Sequence, residues 1–229
     1  MPHREQSHRS AMQLISTALY LYRPRWLDAT CYAQPIMRIL GNIAGLRVQT
    51  ASLKVGEQGR RYDPGALRAV AALTLDDGGV TGWTAEGVRV DDVHQRDHPR
   101  TKYRGENGIS VGFSAHYATM RAHFGEHLID GIAGENILVN SSRMIGLEDL
   151  SHGLLIRRGG ALVARLHEIV VAEPCLPFSR YALGGADDEQ SVPTVKAALT
   201  FLREGCRGYY AGYLGAPAII QVGDEVLLP

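Results

Sequence analysis

Short apolar runs, separated by glycine and aspartate turns and set too close together to admit helices between them, constrain this chain more than any other feature. Leu67 to Leu75 and Val80 to Thr84 flank the string DDGG, the turn chemistry that closes a hairpin because glycine supplies the positive φ of a tight reversal. Leu154 to Arg157 and Ala161 to Ala172 flank Gly159 and Gly160 in the same way. A parallel α/β sheet would need a helix after almost every strand, so the pattern predicts an all-β barrel or sandwich core, mainly β with a few helices. Two stretches carry helix punctuation. Ser114 is the expected N-cap of AHYATMRAHF, with Gly125 as its stop. Ser191 or Thr194 starts a second helix through VKAALTFLRE, which Gly205 ends. The acidic stretch GGADDEQ, Gly184 to Gln190, reads as a loop.

Charge excludes some functions. The 24 basic residues balance the 24 acidic ones, and no run of Lys or Arg forms a stripe, so neither nucleic acid nor an anionic membrane is the expected partner. Small molecules or proteins are. Cys31, Cys175 and Cys206 are odd in number, widely spaced and without a CxxC pair, which argues against a disulfide framework or a Cys-rich zinc site and fits a reducing, cytoplasmic setting. Residues 1–36 differ from the rest. Arg4 and Arg9 precede the apolar stretch Ala11 to Tyr22, but Gln13, Ser16 and Thr17 interrupt it and RPRW follows it, unlike an export signal. Asp28 and Thr30 ahead of Cys31 also depart from a lipoprotein pattern. The expectation is a loosely ordered extension, 1–36, before one domain, 37–229.

The histidines supply decoys. HFGEH, His123 to His127, matches HxxEH, in which two imidazoles one helical turn apart bind zinc. Gly125 interrupts the helix such a site needs, so a surface or hydrogen-bonded role is expected. His94 and His98 are four apart in a loop-forming stretch with no evident third ligand. A thiol hydrolase would pair Cys175 with a histidine, yet His167 lies roughly 25 Å upstream along an extended strand. Another histidine could approach Cys175 through the fold, but spacing does not identify it.

Cys175 itself sits in HEIVVAEPCLPF, where Pro174 and Pro177 stiffen the backbone that presents the thiol. A buried structural thiol would suit the same setting. In GIAGENILV, Gly131 to Val139, two glycines precede Glu135, Asn136 and a strand, a turn that can approach a ligand closely. Each segment also has a purely structural explanation. Together with SVGFSAHYATMRAHFGEHLIDGIAGENILV, EIVVAEPCLPF and the closing CRGYYAGYLGAPAIIQVGDEVLLP with its Gly223-Asp224 turn, they resemble, in order and spacing, the MOSC family. That family is the C-terminal domain of molybdenum cofactor sulfurases and also occurs as stand-alone bacterial proteins. The resemblance covers Gly108 to Pro229 well and Met37 to Tyr103 only by general strand character. It departs where many members carry His-Gly-Gly, because this chain reads VHQRDHPRTKYRGENG. The GEN at Gly105 to Asn107 in that stretch is read as a loop.

The resemblance implies a MOSC-type β-barrel core that binds the molybdopterin-type molybdenum cofactor or handles its sulfur. Cys175 becomes the metal ligand and catalytic centre, since a soft thiolate suits a soft metal or a persulfide. Gly134, Glu135 and Asn136 shape the cofactor pocket. Arg180 and Arg207 are the candidates to offset Glu173 beside the thiol or to bind cofactor phosphate. The expected function is an oxidoreductase acting on small N-hydroxylated or related substrates with a redox partner. The alternative is a sulfur or cofactor carrier with Cys175 as persulfide site, served by a sulfurase partner. Pyridoxal phosphate, associated with such sulfurases, is expected on the partner, because Lys54, Lys102 and Lys196 are the only lysines here and none has Schiff-base context.

Overall fold

A computed structural model describes residues 37–57, 61–101, 108–184 and 190–229. The expectations for residues 1–36, for the string at 105–107, for Lys102 and for 185–189 of the acidic loop lie outside the described residues. In chain order the elements are β1 (Arg38–Gln49), β2 (Lys54–Val55), β3 (Arg61–Tyr62), β4 (Leu67–Val70), β5 (Ala72–Asp76), β6 (Gly79–Trp83), β7 (Arg89–Asp91) and β8 (Ile109–Phe113). They continue with α1 (Ser114–Phe124), β9 (Ile137–Val139), β10 (Leu154–Arg158), β11 (Ala161–Val171), α2 (Leu176–Ala182), α3 (Val192–Arg203), β12 (Tyr209–Tyr213), β13 (Ala218–Gln221) and β14 (Glu225–Leu228).

Seven strands close into a barrel in the ring order β14–β10–β11–β12–β8–β9–β1 and back to β14. Closure satisfies the backbone groups that an open edge would leave exposed. The long β1 makes the closure possible: Arg38 pairs with Leu228, Ile43 with Val139 and Leu46 with Val70 of β4, so one strand serves three neighbours in succession. Every pairing in the ring is antiparallel except β8 with β9, where Val111 faces Ile137 and α1 forms the crossover. A smaller sheet, β13–β5–β6–β7, packs beside the barrel. Its β5–β6 hairpin is the expected one: Asp76 pairs with Gly79, the turn is Asp77–Gly78, and Asp76 Oδ1 accepts from the Gly78 amide at 2.8 Å.

Two apolar clusters hold the described residues together. The barrel interior is filled by inward side chains such as Ile43, Leu46, Val111, Phe113, Val139, Leu166, Tyr209 and Val226. A second cluster joins the helices to the outside of β3 and β9 through Tyr62, Tyr117, Met120, Leu138, Phe178 and Leu202. Phe178, fully buried and edge-on to Tyr62 at 5.1 Å, contributes about 1.5–3 kcal/mol by its transfer from water.

The mainly β barrel expectation holds, and three local expectations change. The run Leu67 to Leu75 is two strands, not one: it breaks at Ala71, whose amide donates to Trp83 O, and the chain passes there from the barrel to the second sheet. Ser114 is not a capping side chain. Phe113 holds the N-cap position, and the Ser114 hydroxyl bonds to Asn140 Oδ1 and Ser141 O instead, tying α1 to the chain after β9. Ser191 does cap α3, accepting from the Thr194 amide, and Gly125 does end α1 with φ 116°. A third helix, α2, occupies what reads as a proline-bracketed turn. Pro177 in its first turn needs no N–H partner and Cys175 supplies the extended N-cap backbone. Among the described residues no helix is long and apolar enough to cross a membrane.

Candidate functional site

Five of the six expected site residues line one cavity. Gly134, Glu135 and Asn136 come from the turn before β9, Cys175 from the junction of β11 and α2, and Arg207 from the run into β12. The enclosed volume is about 140 Å³. Gln49, Ser52, Leu53, Lys54, Tyr62, His94, Ser110, Glu173 and Tyr210 are among the other residues of the wall. Arg180, on α2, is not among the lining residues, so the two candidate arginines separate and Arg207 is the one beside the thiol.

Cys175 is a free, half-buried thiol at the start of α2. Its neighbour Glu173 faces the same cavity, but that carboxylate is largely exposed and lies 3.9 Å from Arg203. Arg207 supplies the opposing charge. Burial opposes its charged form, yet Tyr210, Glu135 and Cys175 around it more than offset that and hold the guanidinium above the ordinary arginine value. It stacks over Phe178 at 5.6 Å and donates through Nη2 to Ala133 O at 3.3 Å, while among the described residues its buried Nε has no hydrogen-bond partner.

The Gly-Glu-Asn turn divides its labour. Gly134 has φ 98°, and a Cβ there would lie 2.8 Å from Leu53 Cδ1 and 2.9 Å from Gln49 Nε2, so only glycine fits. Asn136 is saturated by protein. Its Nδ2 donates to Arg47 O and to Asp92 Oδ2, and its Oδ1 accepts from the Ser110 amide and hydroxyl. It therefore builds the cavity wall and has no free donor to offer a ligand. Glu135 is buried, and its Oε2 accepts from the Tyr117 hydroxyl at 2.7 Å. Burial raises its pKa, against the pull of the Tyr117 hydrogen bond, Arg207 and Arg47.

Sequence reasoning did not reach Asp92, and it weighed His94 only as a metal ligand beside His98; the structure places His94 in the cavity wall with Asp92 behind it. Asp92 is fully buried and accepts from the Gln49 and His94 amides, from Asn136 Nδ2 and from His94 Nδ1 at 2.9 Å. A carboxylate only accepts, so the ring proton sits on Nδ1 and Nε2 stays available at the cavity. The signal is the string Asp-Val-His, in which an aspartate can accept from the backbone two residues on; here it does so in a turn that Gln95 N closes on Asp92 O. His167 lies on β11 near a bulge between His167 and Val170 and does not line the cavity. The HFGEH pair is no metal site: His123 stacks on Phe201 at 4.0 Å, while His127 is exposed and reaches Tyr181 O. Among the described residues no group of three or more His, Cys, Asp or Glu is arranged to hold a metal ion.

Comparison with known proteins adds a likeness of fold. A solved structure of the YUAD protein from Bacillus subtilis superposes with a TM-score of 0.52 at 17% identity, covering 83% of this chain and 96% of that one. A second solved structure, described as a hypothetical protein, matches at 14% identity and a TM-score of 0.49, over 83% of this chain and 69% of its own. No family model and no curated protein matches the sequence.

Proposed function

We propose that this chain binds the molybdenum cofactor in the manner of the MOSC family it resembles, with Cys175 as the protein ligand to molybdenum. The observation that carries the reading is the shared cavity of a half-buried thiol and a half-buried guanidinium whose buried Nε has no partner among the described residues. The donor set fits the group. A soft thiolate suits a soft metal, and Arg207, with Lys54 at the wall, suits its anionic parts. Gly134 lets backbone come close. When bound, the cofactor supplies oxygen-atom and two-electron chemistry. The chain's part is to hold it through Cys175, neutralise it through Arg207, and present Glu135 and His94 as proton-handling groups. The substrates proposed are small and N-hydroxylated, with electrons from a redox partner and a reducing, cytoplasmic setting. No membrane or nucleic-acid partner is part of the proposal.

The size of the cavity favours a second reading. About 140 Å³ is well below the roughly 300–1,000 Å³ of drug-sized pockets, and it suits a persulfide sulfur or a small oxyanion better than a whole pterin cofactor. In that reading Cys175 carries sulfur delivered by a sulfurase partner, which also holds the pyridoxal phosphate. Lys54 lines the cavity and Lys196 lies on α3.

Elemental analysis of the purified parent and Cys175→Ser tests both. Molybdenum in the parent and not in the variant is the expected result. Equal molybdenum in both would sink the ligand assignment. Molybdenum in neither, with cyanide-labile sulfur on the parent alone, would establish the carrier.

A further inference from the structure

Gly112 opens the space that the Glu135 carboxyl occupies. A Cβ on Gly112 would lie 2.8 Å from Glu135 Cγ and 3.0 Å from Oε1, and one on Gly208 would lie 3.5 Å from Oε1. The carboxyl fits only because β8 lacks a side chain at Gly112; at Gly208 the tight neighbour is Val111 O, at 2.6 Å, and the carboxyl is in ordinary contact. Hydrogen bonds then fix its orientation. The Ala133 amide donates to Tyr117 Oη at 3.0 Å, and that hydroxyl donates its own proton to Glu135 Oε2. With Oε2 engaged as an acceptor, a proton on the carboxyl sits on Oε1. Oε1 is buried and has no hydrogen-bond partner among the described residues, a costly arrangement for a group serving packing alone.

From this geometry we infer that Glu135 carries a proton on Oε1 and delivers it to the group bound in the cavity. The charged and titratable groups that face the carboxyl are Tyr117 from α1, Tyr62 from β3, Arg47 from β1 and Arg207 from the run into β12. Burial keeps both phenols protonated. It also favours the neutral carboxyl before transfer, whereas Arg207 and Arg47 stabilise the carboxylate after it. In the step the Oε1–H bond breaks, its electron pair stays on the carboxylate, and the proton joins a heteroatom of the bound group. Solvent at the cavity mouth, where His94 is 38% exposed, returns a proton.

The delivery role rests on the cavity being a cofactor site, but the proton itself can be read without any ligand. Infrared difference spectra of the full chain, labelled with carbon-13 glutamate, should show the carbonyl band of one protonated carboxyl at neutral pH. The band should shift in heavy water, persist in Cys175→Ser and vanish in Glu135→Gln. Absence of the band, or its survival in Glu135→Gln, overturns the proposal. In the molybdenum-loaded protein, Glu135→Gln should retain molybdenum while turnover falls roughly 10²- to 10⁴-fold, the usual contribution of a general acid. Retained molybdenum with unchanged turnover would overturn the delivery role. A parent that shows the band but binds no molybdenum would uphold the protonated carboxyl and overturn the cofactor reading alone.

Discussion

Asn136 Nδ2 donates to Asp92 Oδ2 at 2.9 Å, and the same carboxylate accepts from His94 Nδ1 through its other oxygen. The asparagine of the Gly-Glu-Asn turn thus sets a histidine it does not touch. Asn136→Ala should unfold in urea about 3 kcal/mol more easily, because Asp92, Arg47 O and Ser110 each lose a buried partner. A change under 0.5 kcal/mol would mean the network is not formed in solution.

Glu135 predicts a pH dependence. Its folded pKa is raised above the ordinary 4.5, chiefly by burial, so the folded protein holds the proton more tightly than the unfolded chain. That stability is fully present below 4.5 and is lost as pH rises through the folded value. Glu135→Gln should flatten this decline and gain relative to the parent at the alkaline end, measured by urea midpoints across pH.

His116 has the opposite sign. It is buried, accepts from the Ile145 amide through Nε2 and faces Gly205 O through Nδ1 at 3.0 Å, and burial lowers its pKa below 6.5. Its contribution is present above 6.5 and is lost as pH falls through the lowered folded value. His116→Gln should remove the acid-side loss from that window, at the cost of lower stability near neutrality.

The glycine that makes room for Glu135 should couple to it. Gly112→Ala sets a methyl against the carboxyl and should destabilise by roughly 1–3 kcal/mol, as overpacking does. In a double-mutant cycle, Glu135→Ala should recover most of that loss. Simple additivity would show that the two do not touch.

The thiols should differ. Burial pushes the Cys206 pKa up to about 11, whereas Cys175 borders the cavity. In a Cys31→Ser background, iodoacetamide should alkylate Cys175 well before Cys206 in the folded protein, as read by mass spectrometry. Equal labelling would place Cys175 outside any formed cavity.

Hairpins were legible in the sequence because their cause is local: Asp76 to Gly79 carries its own turn chemistry, and Gly159-Gly160 likewise. Helix α2 was not, since LPFSRYA is under two turns and its prolines read equally well as a loop. Ring closure was out of reach because β1 chooses β14 by packing across the whole chain. In the site, Cys175, Glu135 and Arg207 came from segment resemblance. Arg180 fell away because its place on α2, outside the cavity wall, depends on a helix the sequence did not announce. Asp92 and His94 join Asn136 only through tertiary contact.

Pairing Arg38 with Leu228 has a kinetic consequence. During synthesis β1 emerges first and must wait, with its closing edge unpaired, until β14 has left the ribosome. The barrel therefore stays open until Glu225–Leu228 is free to pair. Chains stalled or clipped before Glu225 should present two open strand edges, on β1 and β10, and these are the species that a chaperone or protease would meet first.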